Sequence, residues 1–112
     1  MDKEILKGSL DIILLTLLIK KDMYGYEIGK VIKNLTSSTY ELGEGTLYPA
    51  LKRLEDRGFL NSYWENTGTE QKRKYYKITK DGTLELKAKL DSWRLLTSII
   101  EKSLIEGVIT NE

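Results

Sequence analysis

At 112 residues and a formal charge of +1, the chain has room for one domain that buries roughly two-thirds of its unfolded surface. It contains no cysteine and no histidine, which excludes disulfides, thiolate or imidazole metal sites and histidine-based acid–base chemistry. Its 17 carboxylates are scattered without a D-x-D-x-D-G pattern, so neither metal nor cofactor is expected. The longest strongly apolar run, Ile12 to Ile19, falls far short of the ~20 residues that span a bilayer. Met1 to Lys7 mixes Asp2 and Glu4 with two lysines and leads to no cleavage site, so a cytoplasmic protein with no membrane partner is expected.

Helical spacing of Leu6, Leu10, Ile13, Leu14, Leu17 and Leu18 predicts a first helix from Lys3 to Lys20. Ile12, Leu15 and Ile19 fall outside that stripe, more apolar surface than one partner covers. A second helix is expected from about Met23 to Asn34, burying Tyr26, Ile28, Val31, Ile32 and Leu35, before a polar break at Thr36 to Thr39. A third starts near Gly45-Thr46, with Thr46 as cap and Pro49 in the first turn, and Gly58 closes it in a left-handed conformation. From Leu60 the pattern alternates: Leu60, Ser62 and Trp64 face one way, Thr67-Gly68-Thr69 turns, and Tyr76 and Ile78 resume the inner face, which predicts a β-hairpin with Trp64 packed into it. Thr79 then caps a long last helix, Lys80 to Gly107, with Leu84, Leu86, Leu90, Trp93, Leu96, Ile100 and Leu104 at helical spacing and Leu95 and Ile99 alongside.

The near-zero charge divides unevenly. Residues 1–44 carry −1, residues 45–80 carry eight Lys and Arg against four carboxylates, and residues 81–112 carry −2. The positive part coincides with the third helix and the hairpin. Three helices, a basic hairpin and a terminal helix predict a mainly α fold with a small β-hairpin: a winged helix-turn-helix, residues 1–79, followed by a C-terminal dimerisation helix, residues 80–112.

On the third helix Leu47, Ala50, Leu51 and Leu54 share one face, while Tyr48, Pro49, Lys52, Arg53 and Asp56 point the other way. Such a face can enter a major groove, with Arg and Lys on guanine edges or phosphates and Tyr on a phosphate. It can also be an ordinary solvated face, since Glu55 and Asp56 stand beside the cations. Lys72, Arg73, Lys74, Lys77 and Lys80 follow without a carboxylate, suited either to tracking phosphates or to shielding an edge strand.

The stretch Gly45-Thr46-Leu47-Tyr48-Pro49-Ala50-Leu51-Lys52-Arg53-Leu54-Glu55, with Gly58 after it, resembles the reading helix of the PadR family of bacterial transcriptional regulators. Lys7-Gly8-Ser9-Leu10-Asp11-Ile12-Ile13-Leu14, Tyr24-Gly25-Tyr26-Glu27-Ile28 and Arg73-Lys74-Tyr75-Tyr76-Lys77-Ile78-Thr79 agree with it, in order, over residues 7 to 82. The resemblance implies a non-enzymatic regulator, a repressor by preference, that binds double-stranded DNA at a palindromic operator. Candidate DNA contacts are Thr46, Tyr48, Pro49, Lys52, Arg53, Lys72, Arg73 and Lys74.

With a single terminal helix the chain resembles the small multidrug-sensing subgroup, in which that helix packs on the partner's first helix and carries a ligand-stacking tryptophan. By that analogy Trp93 meets a small aromatic or lipophilic effector; packing of the dimer seam is the competing role for this residue. Leu10, Leu14, Leu90, Trp93, Leu96, Ile100 and Leu104 are the expected homodimer contacts. A protein-interaction module with a basic wing is the second functional class weighed. An enzyme built on Glu41 and Glu44 near Tyr40 is the third.

Overall fold

The computed structural model describes residues 2–68 and 70–105. The elements run α1 (Lys3–Lys20), β1 (Met23–Tyr24), α2 (Gly25–Leu35), α3 (Glu44–Asp56), β2 (Leu60–Asn66), β3 (Lys72–Ile78) and α4 (Lys80–Ile105). The expected extension of the last helix to Gly107 lies outside the described residues. Among the described residues no helix is long and apolar enough to cross a membrane.

Asp2 caps α1 by accepting from the N–H groups of Glu4 and Ile5 at 2.8 and 3.1 Å. Four members of the expected stripe, Leu6, Leu10, Leu14 and Leu18, are buried, and so is Leu15 from outside it. Leu15 is covered because β3 and α4 pack on α1 in addition to α3. Leu10 and Leu14, expected in the dimer contact, are 4% and 0% exposed within the single chain. They belong to its own core and cannot form a face between chains.

Met23 is not the start of the second helix. Met23 and Tyr24 are extended and pair antiparallel with Tyr76 and Tyr75, so the hairpin becomes a three-stranded sheet of order β1-β3-β2. Ile28 and Ile32 are the buried side of α2, with Val31 partly covered, whereas Tyr26 and Leu35 stand in solvent.

Helix α3 begins one residue before the expected start. Gly43 is its N-cap and no side chain caps it: the N–H groups of Thr46 and Leu47 both donate to the Gly43 carbonyl, at 3.1 and 2.9 Å. Pro49 therefore lies inside the helix, past its first turn, where it leaves the Gly45 carbonyl without the usual i+4 donor. The far end follows expectation. Gly58 has φ +82°, its N–H donates to the Glu55 carbonyl at 2.9 Å, and the Phe59 N–H donates to the Leu54 carbonyl at 2.9 Å, a complete Schellman closure.

That closure is joined directly to α4. The Thr79 hydroxyl donates to the Gly58 carbonyl at 2.7 Å and accepts from the Gly82 N–H at 2.9 Å, capping α4 as expected. A Cβ on Gly82 would stand 2.2 Å from the Phe59 carbonyl oxygen, so only glycine permits this approach. Leu86 closes the core and Leu90 packs at its edge, and α4 runs on along α1 past Trp93. The radius of gyration, 17.0 Å, exceeds the about 13 Å of a compact chain of this length.

Candidate nucleic-acid interface

The inner face of α3, namely Leu47, Ala50, Leu51 and Leu54, is buried in the core and fixes the helix. Thr46, Tyr48, Pro49, Lys52, Arg53 and Asp56 are all exposed on the outside, as expected from spacing. Tyr48 owes its position to a neighbour the residue pattern did not single out. A Cβ built on Gly25, at the start of α2, would lie 2.5 Å from Cε1 and from the hydroxyl oxygen of Tyr48, so the phenol ring rests on bare backbone.

The two cations of α3 are already engaged. Lys52 reaches Asp56 at 3.4 Å, one turn on. The Arg53 guanidinium donates to the Asp11 carboxylate of α1 at 2.8 Å, with the Asp11 side chain only 16% exposed. Asp11 sits beside Ile12 on α1, so the outward face of α3 is wired to the helix that carries part of the molecule's exposed apolar face.

The wing is tied to α3 through Glu55, which accepts from the Ser62 hydroxyl of β2 and faces the Lys74 ammonium of β3 at 3.8 Å. Tyr76 lies beneath this pair. Burial, reinforced by the charge of Glu55, raises its phenol above the ordinary tyrosine value and keeps it neutral.

Strand alternation sorts the wing cations, which the sequence reading had grouped. Register pairs Ser62 with Tyr76, Trp64 with Lys74 and Asn66 with Lys72, so Lys72 and Lys74 share the sheet face that turns toward α3. Arg73 and Lys77 lie on the opposite face. There the Arg73 guanidinium stacks 4.6 Å from the Tyr24 ring centroid, and Tyr24, Tyr75 and Tyr63 form a row with centroids 5.4 and 5.7 Å apart. The Tyr63 hydroxyl donates to Asp22 at 2.6 Å, and that bond pushes its pKa up to about 12. Trp64 is not packed into the wing as expected: it is 64% exposed, because it lies toward the tip of β2, past Ser62, where the strand is no longer covered by α3.

Trp93 lies elsewhere, in a groove of about 590 Å³ between α1 and α4 lined by Ile5, Ile12, Trp93 and Leu96, with Glu85 and Lys89 at its polar side. Past it Leu96, Ile99, Ile100 and Leu104 are each about half exposed, and Leu90 is partly covered by the core. Tyr40 is half-buried and Glu41 pairs with Lys33 at 3.6 Å, which leaves no carboxylate pair arranged for catalysis at that loop. Among the described residues no cluster of carboxylates could hold a metal ion.

A helix-turn-helix with a wing joined to its second helix, and a groove set apart under the terminal helix, is the architecture of a winged-helix transcriptional regulator. The family model described as "Transcriptional regulator PadR-like family" matches residues 14–88. A transcriptional regulator from Clostridium thermocellum of known structure is 40% identical, with a TM-score of 0.82 over 89% of this chain and 97% of that one. Bacillus subtilis PadR, solved in complex with operator DNA, is 32% identical, with a TM-score of 0.66 over 72% of this chain and 45% of that one. The curated sequence of PadR from Bacillus subtilis (strain 168), a negative transcriptional regulator, is 33% identical over 73 residues, 65% of this chain and 40% of that protein. This chain belongs to the PadR-like family of transcriptional regulators, and with that it is a regulator and not an enzyme.

Proposed function

We propose that the chain binds a palindromic operator as a two-fold homodimer and represses transcription, and that a small aromatic or lipophilic compound in the α1–α4 groove lowers its DNA affinity. The observation that carries this reading is the continuity of Tyr48, Lys52 and Arg53 on α3 with Lys72 and Lys74 on the wing, fastened through Glu55. The operator complex of Bacillus subtilis PadR and that protein's role as a negative regulator support it. Residues 1–79 serve as the DNA-binding unit and residues 80–112, which contain α4, as the dimerisation unit.

Exposed Trp93, Leu96, Ile99, Ile100 and Leu104 on α4, with Ile5 on α1, make an apolar surface larger than a stable monomer leaves in water. A second copy covers it, so the contact set is Leu90, Trp93, Leu96, Ile100 and Leu104 with Ile5 and Ile12 in place of Leu10 and Leu14. Two-fold pairing then sets two α3 helices about 34 Å apart, one DNA turn. The groove volume falls in the range that holds a small ligand. A ligand there acts only by favouring an arrangement of α1 and α4 that mismatches the operator, and Asp11–Arg53 and Arg57–Glu85 both join this side of the molecule to the reading helix.

Retardation of an operator duplex, titrated with salt, tests the reading. With about four cations per chain on phosphates, log affinity falls against log salt with a slope of about −7 for the dimer. A slope near zero rejects phosphate-led binding. Quenching of Trp93 emission across a panel of aromatic compounds tests the effector half of the proposal, and an unchanged spectrum throughout rejects it.

A further inference from the structure

Trp64 is the largest side chain that neither the core nor the α1–α4 surface uses. It stands on edge strand β2, 64% exposed, and register puts it on the same sheet face as Ser62, Asn66, Lys72 and Lys74. Lys74 is its direct cross-strand partner and reaches back to Glu55 in the last turn of α3. The indole therefore lies on the side of the wing that faces the reading helix.

Its surroundings decide what it meets. Of its same-face neighbours on the wing, Tyr76 is buried and Ser62, Asn66, Lys72 and Lys74 are polar or cationic, so there is no apolar patch here for another protein to bury. The exposed apolar side chains of α4 belong to a different surface. One flat aromatic ring with an N–H at its edge, set beside two lysines of β3, matches the sugar–phosphate strand of DNA: the ring covers deoxyribose while the ammonium groups and the indole N–H meet phosphate oxygens. We propose that Trp64 is a DNA contact of the wing, packed on the backbone beside the minor groove next to Lys72 and Lys74 of β3. This rests on the operator-binding reading above.

Because the contact is with the backbone, it acts on any sequence. The experiment uses the full chain with two duplexes of equal length, one selected from random DNA and one unrelated. Trp64→Ala weakens both by about tenfold, while Trp64→Phe, which keeps a ring, loses less. Melting temperature stays at the wild-type value for both variants, because the exposed indole contributes little to the core. In a Trp93→Phe protein the remaining indole reports directly: its emission changes as either duplex is added, and bound DNA shields it from acrylamide.

Wild-type affinity of Trp64→Ala for both duplexes, or Trp64 emission unmoved at saturating DNA, overturns the inference. Loss confined to the selected duplex also overturns it, since that outcome means base reading. If wild-type protein retards neither duplex, the operator-binding reading itself fails.

Discussion

The face built by α3 and the wing and the face built by α1 and α4 are both open to water, yet their side chains are settled differently. On the first, three of the four cations already have partners within the chain: Lys52 with Asp56, Arg53 with Asp11 and Lys74 with Glu55. These pairs are exposed enough to be worth little in stability, but they hold long side chains near one pose and so reduce the ordering cost when phosphates replace the carboxylates. On the second, Leu96, Ile99, Ile100 and Leu104 are left about half exposed among the described residues. A charged surface rests in water and exchanges partners reversibly with salt; an apolar one is satisfied only by being covered. The difference assigns reversible binding to the first face and standing association to the second.

The comparison breaks most visibly at a residue that changes sides. Leu14→Ala, in the core, costs about 2–5 kcal/mol of unfolding free energy by denaturant titration. A small cost there would place Leu14 in an interface after all. Leu96→Glu combined with Ile100→Glu should leave the fold intact by circular dichroism, halve the sedimenting mass and cut operator affinity by about a hundredfold, since buried unpaired charge opposes association. Mass and affinity unchanged would mean that α4 is not the contact.

Smaller effects sharpen the charged face. Lys72→Ala with Lys74→Ala removes two phosphate contacts per chain and should bring the salt slope from about −7 to about −4, equally on selected and unrelated DNA. Gly25→Ala forces the Tyr48 ring aside and should cost about fivefold in operator affinity with little change in fold, read by retardation and melting. The mildest test is pH. Tyr63 holds its proton up to about 12 in the folded chain, against 10.0 as the ordinary value, because it donates to Asp22. The associated stability is present below about pH 10 and fades as pH rises toward 12; Tyr63→Phe should abolish that part of the alkaline dependence in melting curves.

Much of this was legible in the residues because periodicity reports burial. The spacing of Leu47, Ala50, Leu51 and Leu54 gave the inner face of α3 correctly, and Gly58 and Thr79 marked the boundaries they form. What was not legible depends on partners distant in sequence. Nothing local marks Met23 and Tyr24 as a strand, since two residues become one only by pairing with Tyr76 and Tyr75. Leu10 and Leu14 read equally well as core or interface until β3 and α4 are seen to cover α1 from further sides. The carboxylates near Arg53 in sequence are Glu55 and Asp56, but the one that pairs with it, Asp11, lies 42 residues away in the chain. Trp64 was expected to pack in the hairpin because alternation gives the face of a residue but not how far the facing helix extends.

The central claim is that the α3–wing face of a two-fold dimer engages DNA. Hydroxyl-radical footprinting of the full chain on a duplex selected from random DNA tests it most directly. The account requires two symmetric protected tracts with centres about 34 Å apart, each extending into the adjoining minor groove under the wing. One tract alone, or uniform cleavage at concentrations that retard the duplex, would contradict it.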